Sequence, residues 1–165
     1  AVNNILDIGT SAASFPGFYD GSYDASGDII KLLTTTTVKG LVYYLDDNSG
    51  SPKWSLANPD EAGTGDKELL AIAIAQDPEI AGMLIKGYFR LPNSGTAAYQ
   101  GTATVGAPLY LHAPGGTATG QMSFSAPAGS KNIVRILGYC LVKDSSDNIL
   151  IYFNPSTEWI ERVES

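Results

Sequence analysis

The feature that most constrains the fold is a set of short apolar blocks that occurs twice in the same order. Gly40-Leu41-Val42-Tyr43-Tyr44-Leu45 lines up with Gly106-Ala107-Pro108-Leu109-Tyr110-Leu111, and Ser55-Leu56-Ala57-Asn58-Pro59 with Ser123-Phe124-Ser125-Ala126-Pro127. The run 69–77 then matches 136–144, and Met83-Leu84-Ile85 matches Ile149-Leu150-Ile151. The first residues of the paired blocks lie 66, 68, 67 and 66 positions apart. Repetition at one offset is the mark of a supersecondary unit used twice. Each copy has too few strands to bury both of its faces, so the two copies must supply one core together.

The blocks read as strands. From residue 29 onward, short runs rich in β-branched and aromatic residues are bounded by Gly, Pro, Asn and Asp clusters. Strands are expected near 29–33, 41–45, 69–75, 83–91, 108–111, 122–124, 134–142 and 149–153. Asp46-Asp47-Asn48-Ser49-Gly50, Pro92-Asn93-Ser94-Gly95, Pro114-Gly115-Gly116 and Asp144-Ser145-Ser146-Asp147-Asn148 supply the turns. Residues 66–76 also read as an Ala-rich helix with Asp66 as N-cap. Their counterpart 134–142 is β-branched and interrupted by glycine, and Leu70, Ile72 and Ile74 alternate with alanines, which favours strand for both.

The expected fold is therefore all-β: a compact barrel or sandwich over residues 29–165, with pseudo-repeats at about 38–91 and 104–160. The core is expected to hold Leu41, Tyr43, Leu45, Leu70, Ile72, Ile74, Leu84 and Phe89 from the first copy. From the second it takes Leu109, Tyr110, Leu111, Ile136, Leu141, Ile151 and Phe153. Residues 1–28 show no sustained period and read as an extended N-terminal arm. Its aromatics Phe15, Phe18, Tyr19 and Tyr23 need a docking place, on their own domain or on a neighbouring subunit.

Composition narrows the function. With 165 residues and 44% hydrophobic content, one globular domain with an arm is expected. No apolar run approaches the roughly 20 residues that span a bilayer, and no secretory signal is visible. Seventeen acidic against ten basic residues give a net charge of −7, and the cations are scattered singly, so nucleic acid is not an expected partner. The one cysteine, Cys140, sits in an apolar run and reads as a buried small side chain. No Cys/His cluster suits zinc, and the acidic turns lack the spacing of a dedicated calcium loop. No cofactor or metal is expected.

Catalytic patterns are equally sparse. His112 is the only histidine, with no Gly-x-Ser-x-Gly elbow beside it, and reads as a turn residue at a strand end. Paired carboxylates for glycoside hydrolysis are available in Asp46/Asp47, Asp60/Glu61, Asp66/Glu68, Glu79 and Glu158, nearly all in turn-like segments where a solvated surface is the ordinary outcome. No enzyme is expected. Trp54 begins a short strand and offers a sugar-stacking platform as one alternative. Trp159, near the chain end, reads as packing the terminus onto the body or a neighbour.

The same blocks carry a resemblance. Gly40-x-Val42-Tyr43-Tyr44-Leu45, Trp54-Ser55-Leu56-Ala57, the run 69–75 and Gly82-Met83-Leu84-Ile85-Lys86-Gly87 are similar to tailed-phage virion structural proteins. So are Gly106-x-Pro108-Leu109-Tyr110-Leu111, Val134-Arg135-Ile136-Leu137-Gly138-Tyr139 and the Tyr152-Phe153-Asn154-Pro155-Ser156-x-x-Trp159-Ile160-Glu161 ending. The match covers about 38–161 and resembles small capsid decoration (cement or head-fibre) proteins and β-rich tail-fibre domains. It implies a non-enzymatic homotrimer on the outer surface of a virion, bound to the major capsid protein. Phe15, Phe18, Tyr19, Tyr23 and Trp159 are then the expected partner-binding residues. A tail-fibre, receptor-binding or carbohydrate-binding module, meeting a glycan or host receptor, is the alternative.

Overall fold

Period-two alternation becomes strand pairing throughout the computed structural model, which describes residues 25–33, 35–59, 69–112, 119–129 and 131–163. The strands are β1 Ala25–Ile30, β2 Val42–Asn48, β3 Ser51–Leu56, β4 Leu70–Ala73, β5 Met83–Leu91 and β6 Pro108–Leu111. They continue as β7 Met122–Ser123, β8 Ile133–Val134, β9 Gly138–Lys143, β10 Ile149–Phe153 and β11 Ile160–Glu161. No helix occurs among the described residues, so the all-β expectation holds.

The main sheet runs β3-β2-β4-β5-β10-β9-β6-β7, with β1 on β5, while β8 and β11 form a small second sheet. Reading from the centre outward, β5-β4-β2-β3 repeats as β10-β9-β6-β7, which is the order in which the sequence blocks match. The registers repeat too. Tyr44 faces Ser55 as Tyr110 faces Ser123, and Leu45 faces Trp54 as Leu111 faces Met122. Val42 faces Ile72 as Pro108 faces Tyr139.

One residue of phase separates the copies. Tyr43, Leu45 and Trp54 point into an outer cluster on the first unit, whereas their counterparts Leu109, Leu111 and Met122 point into the central core. A single-residue slip exchanges every side chain between faces. For this reason Tyr110, expected in the core, is instead half-buried on the outer side; Ile136, Leu141 and Leu45 are half-buried as well. The other expected core residues are buried.

β5 organises the curl. Met83 and Leu84 pair with both β1 and β4, and residues 87–89 pair with both β1 and β10. A strand has two edges, so β4 and β10 follow one another along the edge opposite β1. The sheet forks there and curls into an open half-barrel around Leu70, Ile72, Phe89, Leu109, Ile151 and Phe153. Gly120 stitches the far ends together: its N–H donates to the Ala57 carbonyl at 3.2 Å, and its carbonyl accepts from the Val42 N–H at 2.7 Å.

Several boundaries differ from expectation. β2 runs on through Asp46, Asp47 and Asn48, expected as turn, because these residues pair with Lys53, Pro52 and Ser51. β1 lies earlier than 29–33 because 31–33 leave the ladder and cross the outer face, where the Leu32 carbonyl accepts the Trp54 indole N–H at 2.9 Å. The paired strand thus starts inside the stretch expected as arm. β3 reaches back to Ser51, because Ser49 and Gly50, at φ 57° and 85°, close a two-residue hairpin with the Asp47 carboxylate accepting the Gly50 N–H at 2.8 Å. The expected 134–142 strand breaks into β8 and β9, since Leu137 turns into the core and donates its N–H to Leu109. The short β11, unexpected from sequence, pairs with β8.

Candidate functional site

The first unit is covered on both faces. β4 is buried along its whole length, Leu70 and Ile72 inward and Ala71 and Ala73 outward. Its outer cluster is roofed by Ile30 and Leu33, and Trp54 is 2% exposed. Trp54 is therefore a core residue, and the alternative of a sugar platform there is overturned.

The second unit presents its outer face differently. Leu109 and Leu111 take the inward positions of β6, which sends Tyr110 outward beside Val134 and Ile136. The chain leaving β10 is stapled against 135–137: Asn154 N–H donates to Leu137 O and Ser156 N–H to Ile136 O, each at 2.8 Å, and the Arg135 Nε–H donates to Ser156 O at 2.6 Å. The Ser156 hydroxyl then accepts the Glu158 N–H at 3.0 Å. These bonds hold residues 156–160 above the sheet and leave a cleft of about 670 Å³ between them and Tyr110, Val134 and Ile136. Trp159 lines it at 38% exposure, and Ile160 and Val163 beyond are more exposed still.

Of the expected partner-binding residues, Trp159 is at this cleft, and Phe15, Phe18, Tyr19 and Tyr23 lie outside the described residues. Tyr110 and Ile136 belong to the cleft although the sequence assigned them to the core. Their signal was the phase of β6, which cannot be read until its partner strands are known.

The residues weighed for chemistry are dispersed. Cys140 is buried, and that burial pushes its thiol above the ordinary range. His112 follows β6, half-buried, with its backbone N–H on Gln121 O. Asp46 meets Lys53 at 3.6 Å, Asp77 accepts the Glu79 and Ile80 amides, and Asp60, Glu61, Asp66 and Glu68 lie outside the described residues. Among the described residues no group of three His, Cys, Asp or Glu is placed to hold a metal ion.

The turn between β9 and β10 is built on Asp144. Its carboxylate accepts the Ser146 and Asn148 amides at 2.8 and 2.9 Å and the Asn148 side-chain amide at 3.0 Å, with Arg90 at 3.5 Å. Burial opposes ionisation there. The bonds from Asn148 and Ser146, with the Arg90 charge, outweigh it and hold the carboxyl below its usual value. Asp144 titrates near pH ~3.9 in the unfolded chain and lower in the folded one. Its contribution is complete above that pH and is lost as pH falls through it toward the folded value. The urea midpoint of wild type should exceed that of Asp144→Asn near neutral pH, with the gap closing below about pH 4. A gap that stays constant with pH contradicts this account.

No family model, curated protein or solved structure matches the chain.

Proposed function

We propose that the chain is a non-enzymatic structural protein of a tailed-phage virion: a capsid decoration or head-fibre protein that binds the major capsid protein on the particle's outer surface. The observation that carries this reading is the Trp159 cleft. It joins a half-exposed indole, the apolar side chains Val134, Ile136 and Ile160 and the Tyr110 ring on a braced sheet. Aromatic anchors set in an apolar recess with a polar rim suit a protein partner. The resemblance over 38–161 supports the same reading. Phe15, Phe18, Tyr19 and Tyr23 supply further anchors, and a homotrimer would repeat each contact around one axis, so that modest contacts reinforce one another.

The test is co-sedimentation of purified protein with undecorated phage heads, with light scattering of the free protein alongside. Saturable occupancy by a trimer is expected. Trp159→Ala should weaken head binding by about 30-fold, equivalent to ~2 kcal/mol, while leaving the urea midpoint unchanged because the side chain is partly exposed. Replacing Phe15, Phe18, Tyr19 and Tyr23 together with alanine should abolish occupancy. Failure of the wild-type protein to bind heads, with binding to host cells instead, would move the answer to a tail-fibre or receptor-binding module.

A further inference from the structure

Three tyrosines lie at one level across the centre of the outer face. Tyr139 of β9 faces Tyr152 of β10, and Tyr152 faces Tyr88 of β5. Ser26 of β1 extends the same row. Their sequence neighbours Phe89, Cys140, Ile151 and Phe153 point the opposite way, into the core. The tyrosines therefore share the outer face by simple alternation. The Tyr88 and Tyr152 rings are 5.2 Å apart at 46°, and Tyr139 is 43% exposed.

The row is flanked on both sides by charge. Two residues along β5 from Tyr88, Arg90 is paired with Asp144 at 3.5 Å and its side chain is 42% exposed. Two residues the other way, exposed Lys86 stands opposite exposed Asp28. Among the described residues of the strip these two cations and two anions cancel, on a chain of net charge −7.

We propose that this row is a binding platform for a neutral oligosaccharide. A pyranose ring has a C–H face that stacks on an aromatic ring and an equatorial rim of hydroxyls that both donate and accept. The tyrosine faces match the first, while the tyrosine hydroxyls with the Arg90–Asp144 and Lys86–Asp28 flanks match the second. Local neutrality disfavours a charged ligand, and side chains of adjacent strands stand about 5 Å apart, so the row offers consecutive stacking positions to an extended chain. None of the three tyrosines lines the Trp159 cleft, so the row gives the protein a second kind of contact beyond the particle.

The experiment titrates the full chain with maltohexaose, cellohexaose, chitohexaose and linear mannan and galactan oligomers, read by calorimetry and by the tyrosine ring resonances. At least one should bind saturably at millimolar concentration. Tyr139→Ala should weaken that binding about tenfold, and Tyr88→Ala with Tyr152→Ala should abolish it. Tyr139→Ala removes only a half-exposed ring, so it keeps the fold; an unchanged urea midpoint and unchanged head occupancy establish that. Three results overturn the proposal: no binding to any of the five, binding indifferent to Tyr139→Ala, or loss of head occupancy in Tyr139→Ala. The last would make the row part of the protein interface. Sugar binding by a protein that ignores phage heads would remove the decoration reading and leave this platform standing.

Discussion

Gly87→Ala should lower the stability of the whole domain by about 2–5 kcal/mol, the sum of a left-handed backbone penalty and an overpacking penalty. Gly87 sits in mid-β5 at φ 141°, opposite Gly27 of β1 at φ 145° and Phe153 of β10. A β-carbon on Gly87 would land on the Ser26 carbonyl oxygen, and one on Gly27 on the Lys86 carbonyl oxygen. Both obstacles are backbone, so no rotamer change relieves them. β5 holds β1, β4 and β10 together, and a displaced strand here disturbs the fork on which both units depend.

The measurement is a urea unfolding curve, with Gly50→Ala as the comparison. Gly50 also has positive φ, 85°, but a β-carbon there meets nothing within 4 Å. It should lose only the conformational term, about 1–2 kcal/mol. The difference between the two variants isolates the close approach of β1 to β5. Equal midpoints for Gly50→Ala and Gly87→Ala would mean that β1 yields at little cost and that its pairing is peripheral to stability.

The sequence made the strand class and the twofold recurrence legible, because four apolar blocks recur with turn residues between them; the strand order appears only in the sheet. Register was not legible either: the offsets equate Val42 with Pro108 and Ile72 with Tyr139, but that Val42 pairs with Ile72 and Pro108 with Tyr139 is known only from the sheet. Facing was not legible. Leu109 and Leu111 look like the equivalents of Tyr43 and Leu45, yet they fill the opposite layer, because the choice of face is decided by what packs on each side. β4 shows the difficulty well. Leu-Ala-Ile-Ala is apolar at every position, so alternation in bulk says which residues share a face and not which face is central. Trp159 was legible as a chain-end aromatic in need of a surface. The cleft beneath it was not, since it depends on the outward phase of Tyr110 and on three backbone and guanidinium bonds made by residues 135–137 and 154–156. The tyrosine row was hidden for a simpler reason: Tyr88, Tyr139 and Tyr152 are far apart in sequence and meet only through the β9·β10 and β10·β5 registers.

Trp54→Ala should cost about 3–5 kcal/mol, as expected for removal of a buried aromatic side chain. The indole is 2% exposed, packs in the outer cluster with Leu41, Tyr43 and Met83, and spends its one donor on the Leu32 carbonyl. Two contributions are separable. Trp54→Phe keeps most of the buried area and strands the Leu32 carbonyl, so it should cost about 1–3 kcal/mol. Amide exchange at residues 31–33 should accelerate in both variants, because the indole bond is what draws this stretch over the first unit. If exchange there stays slow in Trp54→Ala, the roof is held by Ile30 and Leu33 alone and the bond is incidental. The second unit gives the reason to expect otherwise: at the position equivalent to Trp54 it carries Met122, which points inward and has no N–H to offer. That exchange of one aromatic donor for a core methionine leaves one outer face roofed by its own chain and the other, with Tyr110, Tyr139 and Trp159, turned toward solvent.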